Sequence, residues 1–228
     1  MARLPARHAA PAPPAAPEGR RQRRRRETRE RLLDATRRVI AESGLEAATI
    51  ARIAEAADVG FGTFYSYFPS REAALLATVR HVLDRVAAEN DALSAGLEDP
   101  AELLAIGLAN VLALAGRDPA TASFALALTM SGHPELWHAL RRRMQADLRR
   151  GRAAGRFQVE ALEVVIEMVS GGVMRALAAR LEGRLGPDAD VAFVTHVLRL
   201  LGVADAAEIA RAGGRRVREG LAPAEESR

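Results

Sequence analysis

The residues of this chain whose types and spacing could do chemistry are hydroxyl donors and cations, gathered between Thr49 and Arg71. Tyr65, Tyr67 and Arg71 carry groups of the kind that hold phosphate oxygens. Gly60, Phe61, Gly62, Thr63 and Ser66 are interleaved with them, and the small or polar members could approach base edges closely. Three of the six Phe and both Tyr fall between Gly60 and Phe68. No Ser/His/Asp or paired-carboxylate constellation stands out, so no catalytic residue is assigned. His133 and His138 are five apart and not in H-E-x-x-H order, which favours capping and packing over a metal pair. Gly60 and Gly62 start a G-x-G-x-x-G pattern, but no third glycine and no preceding strand follow from the sequence. No metal and no cofactor is implied.

Short, rigid elements must present such side chains. From Glu27 to Ser43 the apolar positions Leu32, Leu33, Thr36, Val39 and Ile40 share one helical face, closed by Gly44. Thr49 can cap a second helix with Ile50, Ile53, Ala54 and Ala57 inward. Asp58 stands where the chain must turn and tolerates a left-handed conformation. Gly60 can cap a third helix, with Phe64 and Phe68 inward, stopped by Pro69. Ser70 caps a fourth, with Leu75, Leu76, Val79, Leu83 and Val86 on its inner face. Two short helices joined by a tight turn, between longer ones, form a helix-turn-helix whose third helix is the reader. A cation at Arg71, in a first helical turn, suits a bound phosphate.

Flanking segments bound the rest. The composition, 49% hydrophobic and 27% charged, is that of a folded chain. Residues 1–26 form an expected disordered Pro/Ala/Arg-rich arm holding eight Arg and one Glu, so a net charge of +4 conceals a net negative remainder. Two readings fit the arginines: a solvated tail, or an electrostatic arm reaching DNA. No apolar stretch has the ~20 residues of a membrane span, so no membrane is implied. The absence of a secretory h-region and of cysteine fits a reducing cytoplasm.

Residues 27–83, with the motif at 49–68, resemble the DNA-binding domain of tetracycline-repressor (TetR/AcrR) family transcriptional regulators. The family pattern is met at Thr49, Ile53, Ala54, Val59, Gly62, Thr63, Tyr65, Phe68, Ser70 and Glu72. Asp58 replaces its usual turn glycine, Gly60 its capping serine and Arg71 its phosphate-binding lysine, each able to do the same work. Phe61 stands where the family commonly has a polar residue facing DNA; reading a thymine methyl and packing against the fourth helix both fit it. The resemblance implies that Thr49, Arg52, Tyr65, Tyr67 and Arg71 mainly hold phosphates, and that Gly60, Phe61, Gly62, Thr63 and Ser66 face base edges. It also implies a homodimer on a pseudo-palindromic duplex operator, answering to a small-molecule effector.

Beyond Gly96, Asp99-Pro100, Asp118-Pro119 and His133-Pro134 each open a helix, giving spans near 100–115, 119–131, 134–152, 159–184 and 187–201. No strand signal competes, so the fold class is all-α: a three-helix DNA-binding domain followed by a helical effector-binding and dimerisation domain over 84–211. A short helix is expected at 204–211, and a flexible tail at 212–228. Family resemblance puts the effector among helices 100–150, with Phe124, Leu128, Met130, Trp137 and Met144 as candidate walls for an apolar or amphipathic compound; ordinary core packing also fits each. The last two long helices carry more apolar surface than one stripe, as a four-helix dimer interface requires, with Gly171-Gly172 allowing close approach or a bend. Repression relieved by ligand is the expected mode. The competing readings are a non-enzymatic helical interaction protein and an enzyme without a visible motif.

Overall fold

The computed structural model describes residues 19–129 and 134–221, without the side chains of 134–140. Among the described residues there are ten helices and no strand. The first is α1 (Arg20–Ser43), with Leu32, Leu33, Thr36, Val39 and Ile40 buried and Gly44 ending it at φ 81°. It starts at Arg20 rather than Glu27, so the expected boundary of the arm at residue 26 moves back by nearly two turns. Arg and Gln are good helix formers, and Arg23 and Arg26 pair with Glu27 and Glu30 one turn on, at 3.6 and 3.3 Å. These terms outweigh the few tenths of a kcal/mol, about, by which the dipole disfavours first-turn cations.

The next two helices are α2 (Ile50–Ala56) and α3 (Phe61–Tyr65). The third ends earlier than Phe68: the chain loosens through Ser66 and Tyr67, because Pro69 bars a helical Phe68. Helix α4 (Arg71–Leu93) begins at Ser70, whose Oγ accepts from the Ala73 N–H at 3.1 Å. Leu76 points outward, 41% exposed, against the expectation that it lay on the inner face.

The remaining helices are α5 (Pro100–Arg117), α6 (Pro119–Thr129), α7 (Pro134–Ala153), α8 (Leu162–Leu181), α9 (Ala189–Leu200) and α10 (Ala206–Gly220). Helix α5 alone among the described helices is long and apolar enough to cross a membrane by composition. Here it is the central strut, packed on α4 and on α6 to α10, with Ala101, Leu104, Ile106, Leu112 and Leu114 buried. Helix α10 overturns the expected end of structure at residue 211. Gly213 lies so close to α5 that a Cβ there would stand 3.3 Å from that of Ala105, and one at Gly220 would stand 2.5 Å from Leu93 Cδ2. Two glycines that look like a frayed tail in sequence are thus sites of close helix approach. Residues 222–228 lie outside the described residues.

Two cores result. One joins α1 to α4, the other α5 and α7 to α10. Helix α4 is continuous across residue 83 and serves both: Leu75, Val79 and Val82 belong to the first, Leu93 to the second.

Candidate nucleic-acid interface and effector cavity

The turn between α2 and α3 rests on Asp58, the one non-glycine among the described residues with positive φ, 52°. Thr49 Oγ1 accepts from the Arg52 N–H at 3.3 Å and caps α2, while the Arg52 guanidinium donates to Ser43 Oγ at 3.0 Å. Phe64 is fully buried and Phe68 nearly so, their rings 5.9 Å apart. On the adjoining face, Phe61 and Tyr65, four apart, are 55% and 54% exposed, the Tyr65 ring standing edge-on to that of Phe64 at 5.7 Å. Phe61 is thus more than half exposed rather than buried beneath α4. A Cβ at Gly60 or Gly62 would meet nothing within 4 Å, so this face of α3 is open for a groove to approach. Ser66 Oγ donates to the Gly62 carbonyl at 2.9 Å, which leaves its oxygen to accept. The Arg25 guanidinium lies 5.9 Å from the Tyr67 ring centre, and that of Arg29 lies 5.7 Å from Phe68. The N-terminal half of α1 therefore flanks the link between α3 and α4.

Arg71 is also held from within the chain. Its Nε donates to the Ala48 carbonyl at 2.8 Å and its Nη2 to that of Leu45, which ties α4 to the loop between α1 and α2. The first-turn cation already has oxygen partners inside the chain, and only its Nη1 faces elsewhere, 3.8 Å from Glu72.

Helix α6 packs on this unit, and of the two readings open for its residues the structure supports core packing. Phe124 and Leu128, expected to line an effector site, are buried in the core of the DNA-binding unit beside α1. A helix apolar on most sides is claimed by whichever core it enters, and the sequence does not say which. Met130 and the Trp137 side chain lie outside the described residues. At the start of α6, Asp118 accepts from Arg37 of α1 at 3.0 Å, from Arg85 of α4 at 2.7 Å and from the Thr121 hydroxyl at 2.7 Å. Burial works to raise the Asp118 pKa, but the bonds from Thr121 and Arg85 and the charge of Arg37 hold it down at about 2. Arg37 and Arg85 lie far from Asp118 in sequence, so no local pattern announces this junction.

A cavity of about 280 Å³ lies between α4, α5, α7 and α8. Leu83, Val86, Leu104, Leu108, Val173 and Met174 line it, joined by Met144, the one described candidate wall that the structure does place there. Asn90, Arg142, Arg143 and Asp147 supply its polar side, and the first and last two also border an adjoining cleft. Burial pushes the Asp147 carboxyl up, against the charges of Arg150 and Arg143. Asn90, buried with Asn110 between α4 and α5, and Asp147 went unnoticed in the sequence; a polar residue on an apolar helical face was their only signal.

A helix-turn-helix joined by a continuous helix to an all-α unit with an internal cavity is the form of a ligand-responsive DNA-binding regulator. Residues 32–78 match the family of bacterial regulatory proteins called tetR, and residues 99–212 match the tetracyclin repressor-like C-terminal domain. The chain belongs to the TetR family of transcriptional regulators. It is 40% identical over 63 residues to the HTH-type transcriptional repressor KstR of Mycolicibacterium smegmatis, covering 28% of this chain and 31% of that protein. It is 42% identical over 84 residues to the HTH-type transcriptional regulator BetI of Burkholderia ambifaria, covering 36% and 43%. These alignments span less than half the length of either relative. The structure of RolR in complex with resorcinol is similar over 85% of this chain and 96% of that one, with 33% identity and a TM-score of 0.59.

Proposed function

We propose that the protein is a homodimeric repressor, working in the cytoplasm, that holds a pseudo-palindromic duplex operator and releases it when a small, mainly apolar compound fills the cavity. No catalytic step is part of this reading. The observation that carries it is the course of α4. Its C-terminal half walls the cavity through Leu83, Val86 and Asn90, while its N-terminal half is built into the DNA-binding core through Leu75, Val79 and Val82. A compound that fits one setting of α4 better than another shifts the population of reader positions by that difference in affinity. In a symmetric dimer the spacing of the two α3 helices must match successive major grooves, so a small change of tilt lowers operator affinity.

Exposed Val164 and Met168 on α8 and Leu200 on α9 support the dimer, since these apolar side chains gain by burial against a second copy. RolR's resorcinol supports the ligand class: a cavity of about 280 Å³ with an apolar lining and one polar side suits a small aromatic ring with one or two polar substituents. Phosphate contacts are assigned to Thr49, Arg52, Tyr65 and Tyr67, with Arg71 in support, and base contacts to Gly60, Phe61, Gly62, Thr63 and Ser66. The test is fluorescence anisotropy of an operator complex titrated with small apolar and phenolic compounds, resorcinol included. Release by at least one of them at unchanged salt supports the effector site. No change in operator affinity or melting temperature with any of them contradicts it.

A further inference from the structure

We infer that Asn90 selects the effector by presenting an N–H donor to the cavity, so that the effector carries a hydrogen-bond acceptor, a carbonyl, ether or hydroxyl oxygen, on an otherwise apolar body. This rests on reading the cavity as the effector site. The orientation of the Asn90 amide follows from a relay that begins at a group with no choice. Arg117 can only donate. It is held by Glu89 at 2.6 Å and gives an N–H to an Asn110 side-chain atom at 2.7 Å, so that atom is the oxygen, Oδ1. The Asn110 amide nitrogen is then the donor that meets Asn90 at 2.7 Å, and Asn90 meets it with Oδ1. Its oxygen being used, Asn90 has its own Nδ2 left over.

That nitrogen faces Gly107, 3.8 Å from where a Cβ on that glycine would stand. Asn90 and Gly107 line both the cavity and the adjoining cleft. Asn90 is only 7% exposed, and among the described residues nothing accepts from its Nδ2. Facing the cavity, that donor can be met by water or by a ligand: an acceptor on a ligand replaces the bond to water, whereas a hydrocarbon displaces the water and strands the donor. Asp147 shares both linings and can accept, so a hydroxyl that donates to Asp147 while accepting from Asn90 satisfies both. Arg141, Arg142 and Arg143 also border the cavity and could supply donors of their own, so the test must separate them from Asn90.

Isothermal titration of the full chain at about pH 9.5, above the range of about 8–9 to which burial can raise a carboxyl introduced at position 90, uses acetophenone as acceptor, indole as donor and ethylbenzene as neither. The wild type is expected to bind acetophenone about tenfold tighter than ethylbenzene. Asn90→Leu should bring the two within about threefold, and Asn90→Asp, which keeps an oxygen for Asn110 but turns the other into the cavity, should favour indole. An acetophenone preference undiminished in both variants, or absent from a wild type that binds all three, overturns the inference. Binding of none of the three by the wild type overturns the effector site itself, and the inference with it. If melting shows that the position-90 variants do not fold, Arg141→Gln, Arg142→Gln and Arg143→Gln, made singly, decide: a preference that persists in all three supports Asn90, and one that vanishes in any of them overturns it.

Discussion

Gly62 separates the needs of the fold from those of the DNA contact within one residue. Its φ is not positive, it lies inside α3, and a Cβ there would meet nothing in the protein. Gly62→Ala should therefore leave the melting temperature unchanged or raise it, because alanine in a helix is favoured over glycine by about 0.5–1 kcal/mol. The added methyl would stand on the face shared by Phe61 and Tyr65, and operator affinity should fall. A variant as tight as the parent in anisotropy would remove this face of α3 from the interface. Phe61 tests the same face in another way: if its ring touches a thymine methyl, Phe61→Ala should weaken binding and flatten the preference at one position of the site. The loss expected there is about 1–3 kcal/mol for the preferred base, whereas Tyr65→Phe, which removes only a hydroxyl, should weaken all sequences alike. Arg71→Ala is a poor probe of phosphate binding, since it also removes the bonds to Leu45 and Ala48 and so loosens the loop behind α2.

At the level of elements the account turns on α6 and α4. Asp118 joins α1, α4 and α6, and its folded pKa of about 2 lies below the ordinary 3.8. A depressed carboxylate stabilises the fold fully above its unfolded pKa and loses that contribution as pH falls through the folded one. Urea unfolding should thus show about 2 kcal/mol of stability from this residue that is constant above about pH 5 and disappears between about pH 4 and 2. Asp118→Asn should lack that part of the acid dependence and leave Arg37 and Arg85 without their carboxylate. An acid profile identical in parent and variant would refute this. Helix positions here were legible from periodicity and punctuation: Asp99-Pro100 and Asp118-Pro119 mark α5 and α6, and Ser70 marks α4. Partners were not. Phe124 and Leu128 read as apolar either way, and only the packing of α6 on α1 assigns them to the DNA-binding core. The same limit hid Asn90 and Asn110, because a relay between two helices has no sequence period. The ends failed for a different reason: the crowded charges of Arg20 to Arg26 at a helix's positive end and the glycines at 213, 214 and 220 count against helix, and pairing with Glu27 and Glu30 or packing on α5 and Leu93 overrides them.

For the whole molecule, charge and symmetry set the expectations. Helix α1 brings Arg25 against Tyr67, just after α3, and Arg20, Arg21 and Arg24 lie exposed in the turns before it, so they are expected to neutralise phosphates at the edge of the site. Replacing those three by Gln, which preserves helix propensity, should lower the slope of log affinity against log salt by up to about 3; an unchanged slope would leave them as a solvated face. Sedimentation at micromolar concentration should find a dimer, and Met168→Glu, in an exposed apolar patch on α8, should shift it toward monomer. A parent that sediments as a monomer would contradict the symmetric reading. The most direct test of the central claim is selection of the purified protein against random duplex DNA at physiological salt, with the retained pool sequenced. The account predicts a pseudo-palindrome, two half-sites for two copies of α3. Retention with no enriched sequence would contradict it, leaving only nonspecific attraction to the arginines of α1 and putting a helical interaction protein in its place.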